Sequence, residues 1–416
     1  MRAPSPRASL RSSLFLTAFL GACAASSGTP GGGGGTTGAT GGSTGGTTGS
    51  STGGSTAAGG DTGSTGGSSG GTTGSGGSSA GGSTAAGGSG GSGGVTATGG
   101  GGGSGGASSG GAGGTIVGGV GGVFGGASPW SSKPLSVIAY SPYRDGQAPG
   151  GAQPSMAQVK SDLQMLAPLV DGIRVYGTDG ANGYIPALCD QLGIDLHLGA
   201  WIDGIATDEP NVHALAAIVN EGHPRLKTAI IGNEVLARAA NGTNNVTEER
   251  MIQLINIAKA DIKVKVTIAE ADTYPQWMKG RPNLAAAVDL IIWHTYAYWS
   301  GQDISGAYAL VSQRWNDMLG AYPGKPMILG ETGWPTMVDH ASTDMTMTSV
   351  ANEVNQARFY KEALAGFRAR NLSAWMFSAI DEKWKATSGE GLVGGSWGIF
   401  TSARQPKMAA TMLMTK

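Results

Sequence analysis

Apolar positions divide this chain into two unlike parts. From residue 28 to about 127 large apolar side chains are scarce, and no period of two or of three to four can be traced. From residue 128 onward, short runs rich in Val, Ile and Leu alternate with segments whose apolar residues recur every three or four positions. The runs predict eight strands, at 136–140, 172–177, 195–201, 228–234, 264–271, 290–298, 326–332 and 372–381. Between them the helical spacing is carried by Met156, Val159, Leu163 and Leu166, and then by the segments 184–192, 212–220 and 307–319. Another helix is predicted to begin at Thr247, a good N-cap, with Glu248 and Glu249 suited to the positive end of the helix dipole. Before the last strand, Val350, Val354, Ala357, Leu364 and Phe367 predict one buried stripe.

Eight strands alternating with helices within 128–416 predict an α/β fold, a (β/α)8 TIM barrel. An open doubly wound sheet is the alternative. Its glycine-rich phosphate loop does not follow the first strand, which weakens that reading.

The first 127 residues cannot contribute to such a core. Arg2, Arg7 and Arg11 precede a short apolar stretch, Leu14 to Leu20, and then small residues. That order predicts an export signal too short to span a bilayer. The stretch Leu20-Gly21-Ala22-Cys23 resembles a bacterial lipobox, so residues 1–23 are read as a lipoprotein signal with Cys23 as the lipidated residue. Ala24, rather than Asp, resembles an outer-membrane sorting signal. The alternative is an ordinary cleaved signal, with the protein secreted. Residues 24–127 are almost wholly Gly, Ser, Thr and Ala, with scarcely a large apolar residue and one charge, Asp61. They cannot bury enough apolar surface to offset ordering entropy and are expected to be a disordered tether, reaching about 55 Å on average.

Charge and cysteine content narrow the function of the remainder. Of 27 basic residues three lie in the signal, and of 28 acids one lies in the tether, so segment 128–416 is slightly acidic. Nucleic acid and anionic membrane are therefore poor partners, and the membrane is reached only through Cys23. The single cysteine of this segment, Cys189, leaves no internal disulfide and is expected to be buried filler. The five histidines show no ligand-pair spacing, so neither a metal nor another cofactor is expected. A monomer is the expected state.

Barrel enzymes place their chemistry at the C-terminal ends of the strands. Here those ends carry Arg174 and Tyr176, Trp201, Asn233 and Glu234, Glu270 and Asp272, His294, Tyr296, Tyr298 and Trp299, Glu331 and Trp334, and Asp381, Glu382 and Lys385. A single strand-end glutamate is often only a cap or an ion-pair partner. Two of them, Glu234 on the fourth strand and Glu331 on the seventh, can face each other across a sugar, with one as nucleophile and the other as acid and then base. Of the ten tryptophans, Trp201, Trp277, Trp293, Trp299, Trp334, Trp384 and Trp397 fall at or beyond strand ends. Their flat faces suit stacking on pyranose rings.

The stretches "IIGNEVLAR", "ILGETGWPT", "YSPYRDGQAPGG" and "IDEKWK…GLVGGSWGIF" resemble glycoside hydrolase family 17, which holds β-1,3-glucanases and glucanosyltransferases, and look most like its bacterial and fungal branch, as a bacterial-type member. The resemblance runs from 136 to about 407. It implies a retaining (β/α)8 enzyme acting on β-glucan polysaccharide or oligosaccharide. Glu234 matches the acid/base, Glu331 the nucleophile, and Asn233 the residue that binds the sugar 2-hydroxyl. Tyr176 and Tyr296 match cleft aromatics, and Glu382 and Lys385 match a carboxylate and a lysine beside the site. Two stretches depart from the family. Ala297-Tyr298-Trp299-Ser300 stands where Pro-Tyr-Trp-Glu is usual, and Ile380 to Lys385 replaces Phe-Asp-Gln-Pro-Trp-Lys. Both bear on linkage and chain-length preference rather than on reaction type. A glucanosyltransferase would use the same two glutamates. A non-catalytic carbohydrate-binding barrel fits less well, because both carboxylates are present.

Overall fold

A computed structural model describes residues 128–338, 349–387 and 390–415. The signal, Cys23 and the tether lie outside these residues. The described chain forms a closed barrel of eight parallel strands in sequence order. The strands are β1 (Leu135–Ala139), β2 (Val170–Val175), β3 (Asp195–Ala200), β4 (Leu226–Asn233), β5 (Thr267–Thr273), β6 (Leu290–His294), β7 (Met327–Thr332) and β8 (Ala374–Met376). The ring closes where β1 pairs with β8, with Val137 opposite Trp375 and Ile138 opposite Met376.

Strand alternation sorts the side chains into two cores. Val137, Ile230, Ala269, Ala271, Leu290, Ile292, Ile328 and Trp375 fill the barrel interior. The intervening residues pack outward with the helices in a much larger cluster. Helix starts follow local capping chemistry. Ser155 and Gln158 form a capping box before Met156–Leu166. Thr247 accepts from the Arg250 N–H before Glu248–Asp261, as its position predicted. Cys189 is fully buried on Ile185–Leu192, and burial, with Asp190 and Asp195 adding to it, pushes its thiol up to about 12.

Some expectations need correction. The helix Glu353–Ala369 buries Gln356, Phe359, Tyr360, Ala363, Leu364 and Phe367, while Val350 precedes it and Val354 is exposed. The aromatic spacing outcompetes the valine spacing because the larger rings bury more surface. β5 begins later than expected, since Val264 lies exposed between two lysines. β6 ends at His294, and Tyr298 opens a short 3-10 turn instead of extending the strand. β8 keeps only three residues of ladder, because the chain beyond Met376 turns to meet the Trp397 loop, where the Ser378 N–H bonds the Trp397 carbonyl.

Candidate active site

Glu234 sits on a backbone elbow. β4 shifts register against β5 between Ile230 and Asn233. Glu234 then adopts φ 51° and ψ 33°, a left-handed conformation that costs a non-glycine residue roughly 1–3 kcal/mol. Its N–H bonds the Ala271 carbonyl at 2.7 Å. Behind it, Asp272 accepts from the N–H groups of Leu236 and Ala237, at 2.8 and 3.4 Å. Arg238 donates to the Asn233 carbonyl at 3.1 Å. These contacts hold the elbow and leave the Glu234 side chain at the mouth, only 7% exposed.

Glu331 arrives on β7 from the opposite side. The Arg174 Nη1 and the Tyr176 hydroxyl donate to its Oε1 at 2.9 and 2.8 Å, and the Tyr296 hydroxyl donates to its Oε2 at 2.5 Å. Arg174 reaches across the barrel because residue 330 is glycine. A Cβ there would lie 2.1 Å from Ile292 Cγ2 and 3.3 Å from the guanidinium. Arg174 also donates to Asn233 Oδ1 at 2.6 Å, which leaves the Asn233 amide N–H groups for a ligand.

His294 lies between the two carboxyls. Its Nδ1 is 2.8 Å from Glu234 Oε1, and its Nε2 is 2.7 Å from Arg174 Nη1 and 3.7 Å from Glu331 Oε1. A guanidinium can only donate, so Nε2 accepts and Nδ1–H donates to Glu234. The tautomer is thereby set by Arg174. Burial by itself would raise the pKa of Glu331. His294, Arg174 and the hydroxyl bonds from Tyr296 and Tyr176 outweigh it and hold this carboxyl below its ordinary range. Burial, and then the Glu331 charge, push the Tyr176 and Tyr296 phenols far upward, so both remain donors. Glu234, His294 and Glu331 each offer an atom within 4.8 Å of the others, a spacing a metal ion could use. Arg174 already bonds Glu331 and His294 there and brings the positive charge an ion would supply.

The expected site residues separate into two layers. Tyr176, Asn233, Glu234, Tyr296, Glu331, Glu382 and Lys385 all line one cleft. Glu382 and Lys385 form a buried pair at 2.8 Å. Glu390 joins them in the lining. Burial raises its pKa, Lys385 opposes that, the other carboxylates add to it, and the result is about 7. Arg174 is 1% exposed and acts from behind Glu331. Tyr298, Trp299 and Trp334 do not line the cleft. Trp334 is fully buried and donates to the Val350 carbonyl, and Tyr298 packs edge-on against Trp299, Trp334 and Trp397. They form an aromatic block that backs the wall, with Tyr298 and Trp299 placed by the early end of β6 and Trp334 by the turn after β7.

Of the seven strand-end tryptophans only Trp201, Trp384 and Trp397 reach the cleft. Trp277 and Trp293 are core residues, the first bonded to the Ile292 carbonyl and the second packed on Trp315. The sequence places His294 at a strand end without assigning it a role. Its signal was strand parity, since Leu290 and Ile292 point into the barrel and His294 is the next inward position. Arg238 and Asp203 carried no signal, because their meeting depends on how two loops fold together.

These residues are arranged as a pair of carboxyls, one accepting bonds from an arginine and two tyrosines and one set on a strained elbow, beside aromatic walls. The profile of the BtgE/BtgC glycoside hydrolase domain matches residues 137–398. The chain belongs to this family. It is a glycosidase, and its curated relatives are fungal. A glucan 1,3-beta-glucosidase of Arthroderma benhamiae is 26% identical over 286 residues, covering 64% of this chain and 89% of the relative. A glucan endo-1,3-beta-glucosidase of Emericella nidulans is 27% identical over 274 residues, covering 61% of this chain but only 42% of that longer protein. Among solved structures, a glycoside hydrolase family 17 beta-1,3-glucanosyltransferase from Rhizomucor miehei superposes with a TM-score of 0.56 at 25% identity, covering 67% of this glycosidase and 97% of that chain.

Proposed function

We propose that this glycosidase cleaves β-1,3-glucan with retention, through a covalent glycosyl-enzyme intermediate on Glu331. One observation carries the reading. An oxygen of Glu234 and an oxygen of Glu331 lie within 4.8 Å of each other, near the roughly 5 Å expected of a retaining pair and short of the wider gap an inverting enzyme needs for water. In the first step Glu331 bonds the anomeric carbon while the glycosidic C–O bond breaks, and Glu234 gives its proton to the departing oxygen. In the second, water attacks the same carbon, Glu234 takes its proton, and the ester to Glu331 breaks. While the ester exists Glu331 carries no charge, so the newly ionised Glu234 meets no like charge opposite. The free Asn233 amide supports contact with the sugar 2-hydroxyl, and the substrate is supported by the names of the relatives. The similarity to a glucanosyltransferase favours a second reading of the same site, in which a sugar hydroxyl replaces water.

The wider reading is of a bacterial-type, monomeric enzyme exported and lipid-anchored at Cys23 in the outer membrane, its barrel carried on the 24–127 tether. It is supported by the lipobox-like stretch ending at Cys23 and by the composition that follows.

The test is incubation of the full chain with laminarin-type glucan, with products followed by mass. Shorter chains are expected from hydrolysis and longer ones from transfer. Glu331→Gln is expected to abolish both while still binding glucan. A variant that keeps most of the rate would remove Glu331 as nucleophile.

A further inference from the structure

Trp201, one of the cleft tryptophans, is held by polar contacts. It follows β3 directly, and its indole Nε1 donates to Asp203 Oδ2 at 2.6 Å. The Arg238 guanidinium covers one face, with Cζ 4.4 Å from the ring centroid. Arg238 is itself buried and ion-paired to Asp203, and it donates to the carbonyls of Ile202 and Asn233 at 2.5 and 3.1 Å. The Trp201 carbonyl in turn accepts from Asn211 at 2.9 Å. The ring cannot rotate without breaking several of these contacts. Its polar N–H is already used, and the cation behind it is neutralised by Asp203. What it can offer the cleft is the face opposite Arg238, flat, apolar and without net charge. The C–H face of a neutral pyranose fits that surface.

We propose that Trp201 is a prebuilt stacking platform for a neutral sugar ring at an outer subsite, away from the bond that Glu234 and Glu331 cleave, and that Asp203 and Arg238 are its positioning residues. The proposal rests on the glucan reading above. The platform lies just past the end of β3, the strand beside β4, and Arg238 also holds the carbonyl of Asn233 at the acid/base elbow. A chain long enough to reach Trp201 is therefore gripped by the element that presents Glu234. Short chains gain least from it, so the platform selects for length.

The experiment uses the full chain in the Glu331→Gln background, so that binding is read without turnover. Affinity is measured by calorimetry for β-1,3-linked oligosaccharides of increasing length, with and without Trp201→Ala. The expected result is about a tenfold loss for the long members, shrinking toward the shortest. In the active enzyme the loss should reside in KM and fall on long glucan. Trp201→Phe should regain most of the affinity and Trp201→Leu should not, because leucine fills space without a flat face. That pair decides the matter if the alanine variant fails to fold. Equal affinity at every length, or the same loss at every length, overturns the platform. A parallel series of β-1,4- and β-1,6-linked oligosaccharides separates the two readings. If the parent binds one of these instead, the β-1,3 reading falls and Trp201 is judged on that series. If it binds none, both fall.

Discussion

Glu331 stays ionised where burial opposes it, and four neighbours account for that. Arg174 supplies charge, His294 sits 3.7 Å away, and Tyr176 and Tyr296 supply hydroxyl bonds. Because its pKa is lowered by folding, Glu331 adds stability above the ordinary carboxylate range, and that contribution is lost as pH falls through its folded value. With Glu331 as the proposed nucleophile, the same shift is expected to set the acid limb of the rate profile. Tyr296→Phe removes a bond made to the charged form, so the carboxyl should protonate more readily. The acid limb of kcat/KM is expected to move upward by about one pH unit. A pH–rate series on the variant checks this, and an unmoved limb would mean that another group controls it. At this scale Glu234, Glu331 and Asn233 were legible in the sequence because they sit at strand ends within short motifs. His294 was only half legible. Parity points it inward, but its place between Glu234 and Arg174 depends on three strands meeting.

At the scale of elements, β5 contains an anomaly. Glu270 is fully buried, and neither of its carboxylate oxygens has a hydrogen-bond partner among the described residues. Burial, and then the nearby Asp272, raise its pKa well above the ordinary 4.5, with Arg281 and Arg174 only partly offsetting them and Glu248 adding to the rise. The folded protein therefore keeps a proton that the unfolded chain releases above about 4.5, and stability falls as pH rises from there. Glu270→Met is expected to stabilise the protein by about 1–3 kcal/mol at neutral pH. The gain should shrink toward pH 4.5, where both states hold the proton. Thermal unfolding across this range checks it, and parallel curves for parent and variant would show that Glu270 is satisfied in solution. The number and order of strands were readable from alternation, whereas their ends were not. β6 and β8 each make one more bond to β7, from Thr295 to the Glu331 carbonyl and from Phe377 to the Thr332 carbonyl, and stop there because Tyr298 enters a 3-10 turn and Ser378 bonds the Trp397 loop.

For the whole molecule, the composition of the first 127 residues and the packing of the rest make separate contributions. If Cys23 carries the anchor, Cys23→Ser should abolish incorporation of labelled fatty acid and release the protein from the membrane fraction, with glucan activity retained in the soluble fraction. Equal labelling of the variant would leave an ordinary cleaved signal as the reading. The sequence by itself determined the barrel and the two carboxylates, because strand alternation and a strand-end motif are properties of consecutive residues. Only the tertiary structure decided which tryptophans face the cleft, since Trp277, Trp293 and Trp334 fall near strand ends as Trp201 does and yet are buried. It alone brought Arg174 to Glu331, 157 positions away. Closing the ring sets which side chains meet inside it, and no local period in the chain encodes that distance.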